Sequence, residues 1–443
     1  MPDIGAPKGA WPGTGTAAPT GAGGGRAAAG YTFRAAAEWA EFGAVLDLAY
    51  GGRPHSSAHS AVVGALFEPK RSLVACYGGR PCATLAGYAT LAGYALEMTL
   101  PGGPAPVAGI GYVAVAPPHR RRGLMRELLR QALTALHEER AEPVAVLHST
   151  EPGIYGRFGF GIASQAVEVS VPPEARAFAG EAAAAGLALD VVSPDEAHAV
   201  IADVYRACLS QRPGLLRRDA AWQRRAVEDE PDGRHGAGRL LCMVVSGPGG
   251  DARGYALYRM RPAWERSRPR YALSVREVFA RDPAAYAFVW RALLDTDLAG
   301  TVSAACRPVD DPLLALLDDP RSAAPTVRDQ LYARAVDLDR ALVSRTYSAP
   351  VDVVLEVRDV MCPWNDGRWR LCADPGGGAV CVRTGAAADL ALGARDIGAM
   401  LLGGGAPAQL ALAGRVSELR PGALRAVSAA FRHDPAPFCP TAF

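Results

Sequence analysis

Residues 111–130 read GYVAVAPPHRRRGLMRELLR, and this stretch decides the fold. An apolar run, Tyr112–Val115, passes into a proline-bounded turn and then into Arg120-Arg121-Arg122-Gly123. A helix is predicted from Gly123 onward, with Leu128, Leu129, Ala132, Leu133 and Leu136 spaced for one buried face. The first N–H groups of a helix lack partners and carry the positive end of its dipole, so they attract anions. Gly123 admits close approach of a phosphate to the backbone, and the arginines add forked donors. Strand, basic turn and helix in that order predict a pyrophosphate cradle along Arg121, Arg122, Gly123, Leu124, Met125 and Arg126. The stretch has neither the Gly-x-x-x-x-Gly-Lys-Ser/Thr pattern nor three spaced glycines, so two common phosphate-binding loops are excluded. The plainer alternative is a solvated basic helix end, the usual reading of an isolated arginine run.

A second motif follows. Residues 148–161 read HSTEPGIYGRFGFG after the apolar run Val144–Leu147, with Tyr155 between Gly153 and Gly156. A phenol, with an ordinary pKa of about 10, is protonated at neutral pH and can donate a proton. The plain alternative for a lone tyrosine is a packing residue with one satisfied hydroxyl.

The first motif resembles the coenzyme A-binding segment of the GCN5-related N-acetyltransferase (GNAT) superfamily, whose core is Gln/Arg-x-x-Gly-x-Gly/Ala. Arg120, Gly123 and Met125 stand at those positions, so the last small residue is missing. The second motif closely resembles the Ser-Glu-Gly-Gly-Ile-Tyr-Gly-Arg-Phe-Gly-Tyr-Gly run of the enhanced intracellular survival (Eis-type) acetyltransferases. The resemblance implies acetyl-CoA as co-substrate and Tyr155 as the general acid that protonates the departing thiolate. It places the pantetheine amides along Val113, Ala114 and Val115, and Thr150 and Glu151 beside the thioester. It also implies that the α-carboxylate of the last residue, Phe443, is the proton acceptor. The tail Phe438–Phe443, FCPTAF, is apolar where chain ends are ordinarily frayed and polar, which predicts that it is anchored. An α-carboxylate with a pKa of about 3.5 is a weak base in water, and desolvation would strengthen it. His119 belongs to the phosphate turn and His148 ends a strand, so neither is read as the base.

The resemblance further implies a homohexamer and a small-molecule amine acceptor: aminoglycoside-, polyamine- or lysine-like. Ala442, and Tyr50-Gly51-Gly52-Arg53, stand where aminoglycoside-acetylating members carry carboxylates, so aminoglycoside resistance does not simply carry over.

Composition agrees with an enzyme of this kind. A net charge of +2 gives no field for nucleic acid, and no apolar run is long enough for a membrane span. Lysine is confined to Lys8 and Lys70, and arginine carries the remaining positive charge. The nine cysteines form no Cys-x-x-Cys pair or zinc spacing, which predicts no metal and a reducing, cytoplasmic compartment.

A chain of 443 residues is too long for one core. Residues 1–30, rich in Gly, Ala and Pro, read as a disordered extension without signal-peptide character. Residues 31–171 read as the acetyl-CoA-binding domain. It has helical stretches at Ala35–Leu48, strands at Ser72–Tyr77, Thr84–Met98 (turning at Leu91–Gly93) and Gly109–Val115, the Arg122–Arg140 helix, and strands at Val144–Leu147 and Ala166–Val171. Residues 172–335 repeat this character without a cradle: Asp282 would cap the helix starting near Ala284, where the first copy has a bare glycine. Residues 336–443 form a strand meander with the helix Asp396–Leu402, similar to the sterol-carrier-like domain that closes Eis-type proteins. The fold class expected is therefore α+β / α/β: tandem GNAT-like mixed sheets, the first active and the second degenerate, then a sterol-carrier-like domain. An alternative function of another class is a non-catalytic acyl-CoA or lipid-binding protein built on that last domain.

Overall fold

Val144–His148 (VAVLH) is buried at every position but the last, the pattern of an interior strand covered on both faces. The computed structural model, which describes residues 30–51, 56–88, 96–180 and 186–443, places it near the middle of a mixed sheet. The order across that sheet is Tyr31–Ala35, Leu73–Tyr77, Arg80–Tyr88, Gly103–Val115, Val144–His148, Leu331–Ala335 and Gly161–Ile162. Leu96–Leu100 pairs with the early part of Gly103–Val115. The parallel pair Gly103–Val115 and Val144–His148 is joined by the helix Leu124–Glu138. That helix buries Leu124, Leu128, Leu129, Ala132, Leu133 and Leu136 against Leu73, Leu85, Ile110 and Leu147. Each such leucine contributes about 1.5–3 kcal/mol by leaving water.

The second sheet runs Thr326–Asp329, Gln165–Val171, Ala299–Pro308, Tyr271–Ala280, Ala252–Arg261, Leu241–Ser246, Ala188–Val192. The helices His198–Cys208 and Pro283–Leu294 lie against it. The third has the order Ala379–Arg383, Gly367–Ala373, Val351–Arg358, Leu390–Gly393, Val416–Glu418, with Ala394–Met400 and Ala423–Phe431 packed on it. Two mixed sheets followed by a smaller α+β unit is the architecture expected.

The sheets differ from the sequence reading in membership. The strand expected to end the first block, now Gln165–Val171, pairs in the second sheet with Ala299–Pro308 and Thr326–Asp329. In return Leu331–Ala335, from the end of the second block, enters the first sheet between Val144–His148 and Gly161–Ile162. Alternation marks a strand and its faces but says nothing about which sheet receives it. Tyr31–Ala35 is a strand, and the helix expected at Ala35–Leu48 runs Ala40–Ala49. The helices Ser57–Gly64 and Ala220–Val227 were not anticipated. The extension 1–30 (Gly30 excepted), the turn Leu91–Gly93 and the pair Gly52-Arg53 lie outside the described residues.

The first and third units share one core. Val107, Val144, Val146, Leu331 and Ala333 pack with Val353, Leu355, Ile397, Met400 and Phe431. Two glycines set the spacing: a Cβ on Gly161 would lie 2.0 Å from the carbonyl oxygen of Arg395, and one on Gly398 would lie 2.0 Å from that of Ala333. The buried pair Arg334–Asp359, Nη2–Oδ2 2.5 Å, ties the same seam, and Arg334 also donates to the carbonyl of Phe158.

Candidate active site

The strand Gly103–Val115 opens the site by parting from its neighbour. Its parallel ladder with Val144–His148 runs from Val107–Val144 to Ile110–Leu147 and goes no further. A bulge then interrupts its pairing with Arg80–Tyr88: Thr84 pairs with Ala114 and Ala86 with Gly111. Tyr112 takes a positive φ of 45° there, and the Thr84 hydroxyl donates to its carbonyl at 3.0 Å. Bulges bend the strand and increase its twist. The edge Val113–Val115 is thereby left facing the gap between the two strands, where an extended amide-bearing chain can pair with it.

The turn beyond carries the predicted anion donors. Gly123 is the residue before the first helical turn, at φ +80°, and no side chain caps the helix start. No heavy atom lies within 4 Å of the position a Gly123 Cβ would take, so its φ, not crowding, asks for glycine here. Arg121 also sits in the left-handed region, at φ 62°, which costs a side-chain-bearing residue about 1–2 kcal/mol. Arg121, Arg122 and Arg126 are exposed, and among the described residues none has a side-chain hydrogen bond or ion pair. Arg120 differs. Its Nε donates to the Val115 carbonyl at 3.2 Å and its Nη2 to that of Ala49 at 3.1 Å, so it braces the turn. Leu124 is buried in the core beneath this turn and Met125 is half-buried against that core, so these two offer the turn only backbone N–H groups. His119 is held by the Tyr31 hydroxyl at 2.8 Å.

The second copy is closed. Asp282 caps Pro283–Leu294 by accepting from Ala285 N at 3.0 Å, and Arg253 pairs with that carboxylate at 2.8 Å. The anion position is already filled.

Tyr155 begins a one-turn 3₁₀ segment, Tyr155–Phe158, and its side chain is 8% exposed. Burial first, then the nearby phenol of Tyr50 and the Glu151 carboxylate, push its hydroxyl well above the ordinary tyrosine range. Thr150 and Glu151 are exposed on the loop before it, and Ser149 Oγ accepts from Glu151 N. Tyr50, just past the helix Ala40–Ala49, stands in a segment that the family resemblance marks only by a missing carboxylate. Sequence gave no sign that it would stand by Tyr155, more than a hundred residues on.

The chain end arrives from the opposite side. Phe438 N donates to the Pro213 carbonyl at 2.8 Å, and Phe438 and Cys439 are buried. His148 Nε2 meets the Thr441 carbonyl at 3.1 Å; a carbonyl only accepts, so that nitrogen bears the proton. The Phe443 ring stands edge-on to His148 at 4.8 Å and to Trp222 at 6.4 Å. His148 and Tyr155 open and close the same loop, so the tail ends beside the second motif. Burial lowers the pKa of His148 and keeps it neutral. Neither Trp222, on an unforeseen helix, nor Arg218, which reaches Thr441 Oγ1 at 3.2 Å, carried any motif in the sequence.

Comparison with known proteins agrees with this picture. Residues 33–163 and 214–335 each match acetyltransferase (GNAT) domains, and residues 338–440 match a sterol carrier protein domain. An uncharacterized N-acetyltransferase of Streptomyces avermitilis is 40% identical over 92% of this chain and 97% of its own length. N-acetyltransferase Eis of Mycobacterium tuberculosis is 35% identical over 76% of this chain and 81% of its own. The crystal structure of Eis1 from Mycobacterium abscessus superposes with a TM-score of 0.77 at 31% identity, covering 93% of this chain and all of that one. Fold and site thus define an acetyltransferase of the GNAT class. The chain belongs to the Eis-type N-acetyltransferase family. Among the described residues no helix is long and apolar enough to cross a membrane, and no group of three or more His, Cys, Asp or Glu is placed to hold a metal.

Proposed function

We propose that the protein transfers acetyl from acetyl-CoA to a primary amine of a small aminoglycoside-, polyamine- or lysine-like acceptor. The observation that carries this is the uncapped helix start at Gly123, with Arg121, Arg122 and Arg126, which have no side-chain partner among the described residues, on either side of it in the chain, following the parted edge Val113–Val115. Those residues suit a pyrophosphate followed by an amide-bearing arm. The backbone N–H groups of Leu124 and Met125 and the three guanidinium groups hold the phosphates. Val113 and Val115 pair with the arm, and Thr150 and Glu151 flank its reactive end.

Tyr155 acts as the acid. Its raised pKa keeps it protonated across the neutral range. The same desolvation raises the basicity of a thiolate leaving beside it, so donor and acceptor stay matched. The Phe443 α-carboxylate accepts the proton that the attacking amine sheds, directly or through a water molecule. His148, kept neutral and engaged with Thr441, serves as support for that tail.

The acid and the cofactor site lie in residues 31–171, completed by the strand Leu331–Ala335, and the base comes from the end of the third unit at Phe443. The second copy and the sterol-carrier-like unit carry and enclose it. All nine cysteines are free thiols, which supports a reducing, cytoplasmic setting, and the working form is read as a homo-oligomer.

The experiment is thiol release from acetyl-CoA in the presence of a panel of primary amines, followed by mass spectrometry of the acceptor. Acetylated amine in stoichiometry with free thiol is expected. A fluorescent sterol bound at micromolar concentration, with no thiol released above background on any amine, would overturn the reading in favour of a lipid carrier.

A further inference from the structure

The second copy has no cradle, yet one of its arginines reaches the end of the chain. The Arg218 side chain is 2% exposed and forked on Glu277, Nη1–Oε1 at 3.0 Å and Nη2–Oε2 at 2.6 Å. Its guanidinium lies 3.7 Å from the centre of the Tyr205 ring, and Glu277 Oε1 also accepts from the Tyr255 hydroxyl at 2.5 Å. Two more donations, from Nε at 3.3 Å and from Nη2 at 3.2 Å, go to Thr441 Oγ1.

Thr441 is therefore held on two sides, by Arg218 at its hydroxyl and by His148 at its carbonyl. Two residues earlier Gln330 fixes Cys439 in both directions: Cys439 N donates to its Oε1 at 3.1 Å and its Nε2 donates to the Cys439 carbonyl at 2.8 Å. Only Ala442 and Phe443 lie beyond these clamps. A free tail pivoting at Thr441 could carry its end through about 7 Å, two residues of extended chain. Misplacement of a reacting group by about 1 Å can cost a hundredfold in rate.

We infer that Arg218 is a positioning residue for the Phe443 carboxylate, acting through the hydroxyl of Thr441. The inference rests on the proposed role of Phe443 as proton acceptor. A buried ion pair is weak as a source of stability, since apolar residues of the same volume often do as well. Its fixed, forked geometry is suited instead to holding one register of the tail. The degenerate copy on this view supplies the seat of the base.

The test is Thr441→Val, which removes the accepting hydroxyl at constant shape and leaves Arg218 paired with Glu277. The kcat should fall by about tenfold or more, with KM for acetyl-CoA within about twofold, because the loss is in the placement of a reacting group. Thr441→Ser should recover kcat to within about threefold of the parent, as it restores the acceptor. The paired variant Arg218→Gln/Glu277→Gln leaves no buried charge unmatched and should show the same split, which covers the case in which the valine variant fails to fold. A C-terminally tagged form is assayed in parallel. Inactive tagged enzyme together with wild-type kcat in Thr441→Val would overturn the positioning role while leaving the carboxylate in place. Full activity of the tagged form would overturn the carboxylate role and this inference with it. A proportional rise in KM that serine does not rescue would reduce Thr441 to a structural residue.

Discussion

The ring of Phe443 stands edge-on to the imidazole of His148, 4.8 Å between centroids, so the last residue of the chain touches the first residue of the Tyr155 loop. Appending residues at the C-terminus would turn the Phe443 carboxylate into a neutral amide. Deleting Phe443 would draw the terminal group back by about 3.5 Å. Both forms should stay folded, bind acetyl-CoA and lose about a hundredfold or more in kcat. Steady-state turnover beside calorimetric binding checks this, and full turnover by the tagged form refutes it.

Tyr155→Phe removes one oxygen and keeps the ring that meets Phe160 at 6.1 Å. The kcat should fall by about 10²–10⁴-fold, the usual worth of a positioned acid, while acetyl-CoA affinity barely changes. Near wild-type turnover would make Tyr155 a packing residue.

The cradle makes separable predictions. Arg121→Gly takes away a guanidinium while suiting the positive φ of that position, so acetyl-CoA affinity should fall without loss of thermal stability. One charge-assisted donor is worth about 1.5–3 kcal/mol, about ten- to a hundredfold in Kd. Gly123→Asp should do worse by setting an anion against the phosphates. Titration calorimetry reads both, and unchanged affinity in the pair would remove the phosphates from this turn.

The depressed pKa of His148 has a consequence for stability. Below the ordinary histidine pKa of about 6.5 the unfolded chain binds a proton that the folded one refuses, so stability falls with pH through that point until the lower folded value is reached. His148→Gln can keep a donor to the Thr441 carbonyl but cannot titrate. Its melting temperature should fall less than the parent's between pH 7.5 and 5.5. Parallel melting curves for the two proteins would discard the idea.

Gly161→Ala should loosen the third unit. The new Cβ would meet backbone, Arg395 O at 2.0 Å and Ala399 N at 2.4 Å, which side-chain repacking cannot relieve. A cost of about 1–3 kcal/mol is the floor for such overpacking. Gly153→Ala, with nothing within 4 Å of its Cβ, is the matched control. Differential scanning calorimetry should show a lowered transition for the first variant alone.

What was legible in the sequence was local. Helix Leu124–Glu138 declared its buried face through leucine spacing, and Asp282 declared its cap. Both signals depend on residues within a few positions of each other. The parting of Val113–Val115 from Val144–His148 depends on a bulge, and the positive φ of Tyr112 has no sequence signature in a tyrosine. Tyr50 beside Tyr155, and Arg218 beneath Thr441, are contacts across the fold; no periodicity records them. Flanking glycines in a loop leave little to shield Tyr155 on a reading of the sequence alone, yet the residue is buried. Gly156, Gly159 and Gly161 instead make room for Arg395, for Arg334 and for the helix Ala394–Met400.

The strand Leu331–Ala335, lodged between Val144–His148 and Gly161–Ile162, bears on how the protein is made. On a ribosome the segments that carry the cradle and Tyr155 emerge early, but their sheet lacks a member until most of the chain has been synthesised. Until then Val144–His148 has an open edge, the kind of surface that invites wrong pairing. A fragment ending near residue 171 would keep both motifs and still lack Leu331–Ala335, the strand between Val144–His148 and Gly161–Ile162. It would also carry Gln165–Val171, a strand with no sheet of its own to join. Recombination that exchanges the first third of this gene for that of a relative would therefore have to carry a second, distant segment with it.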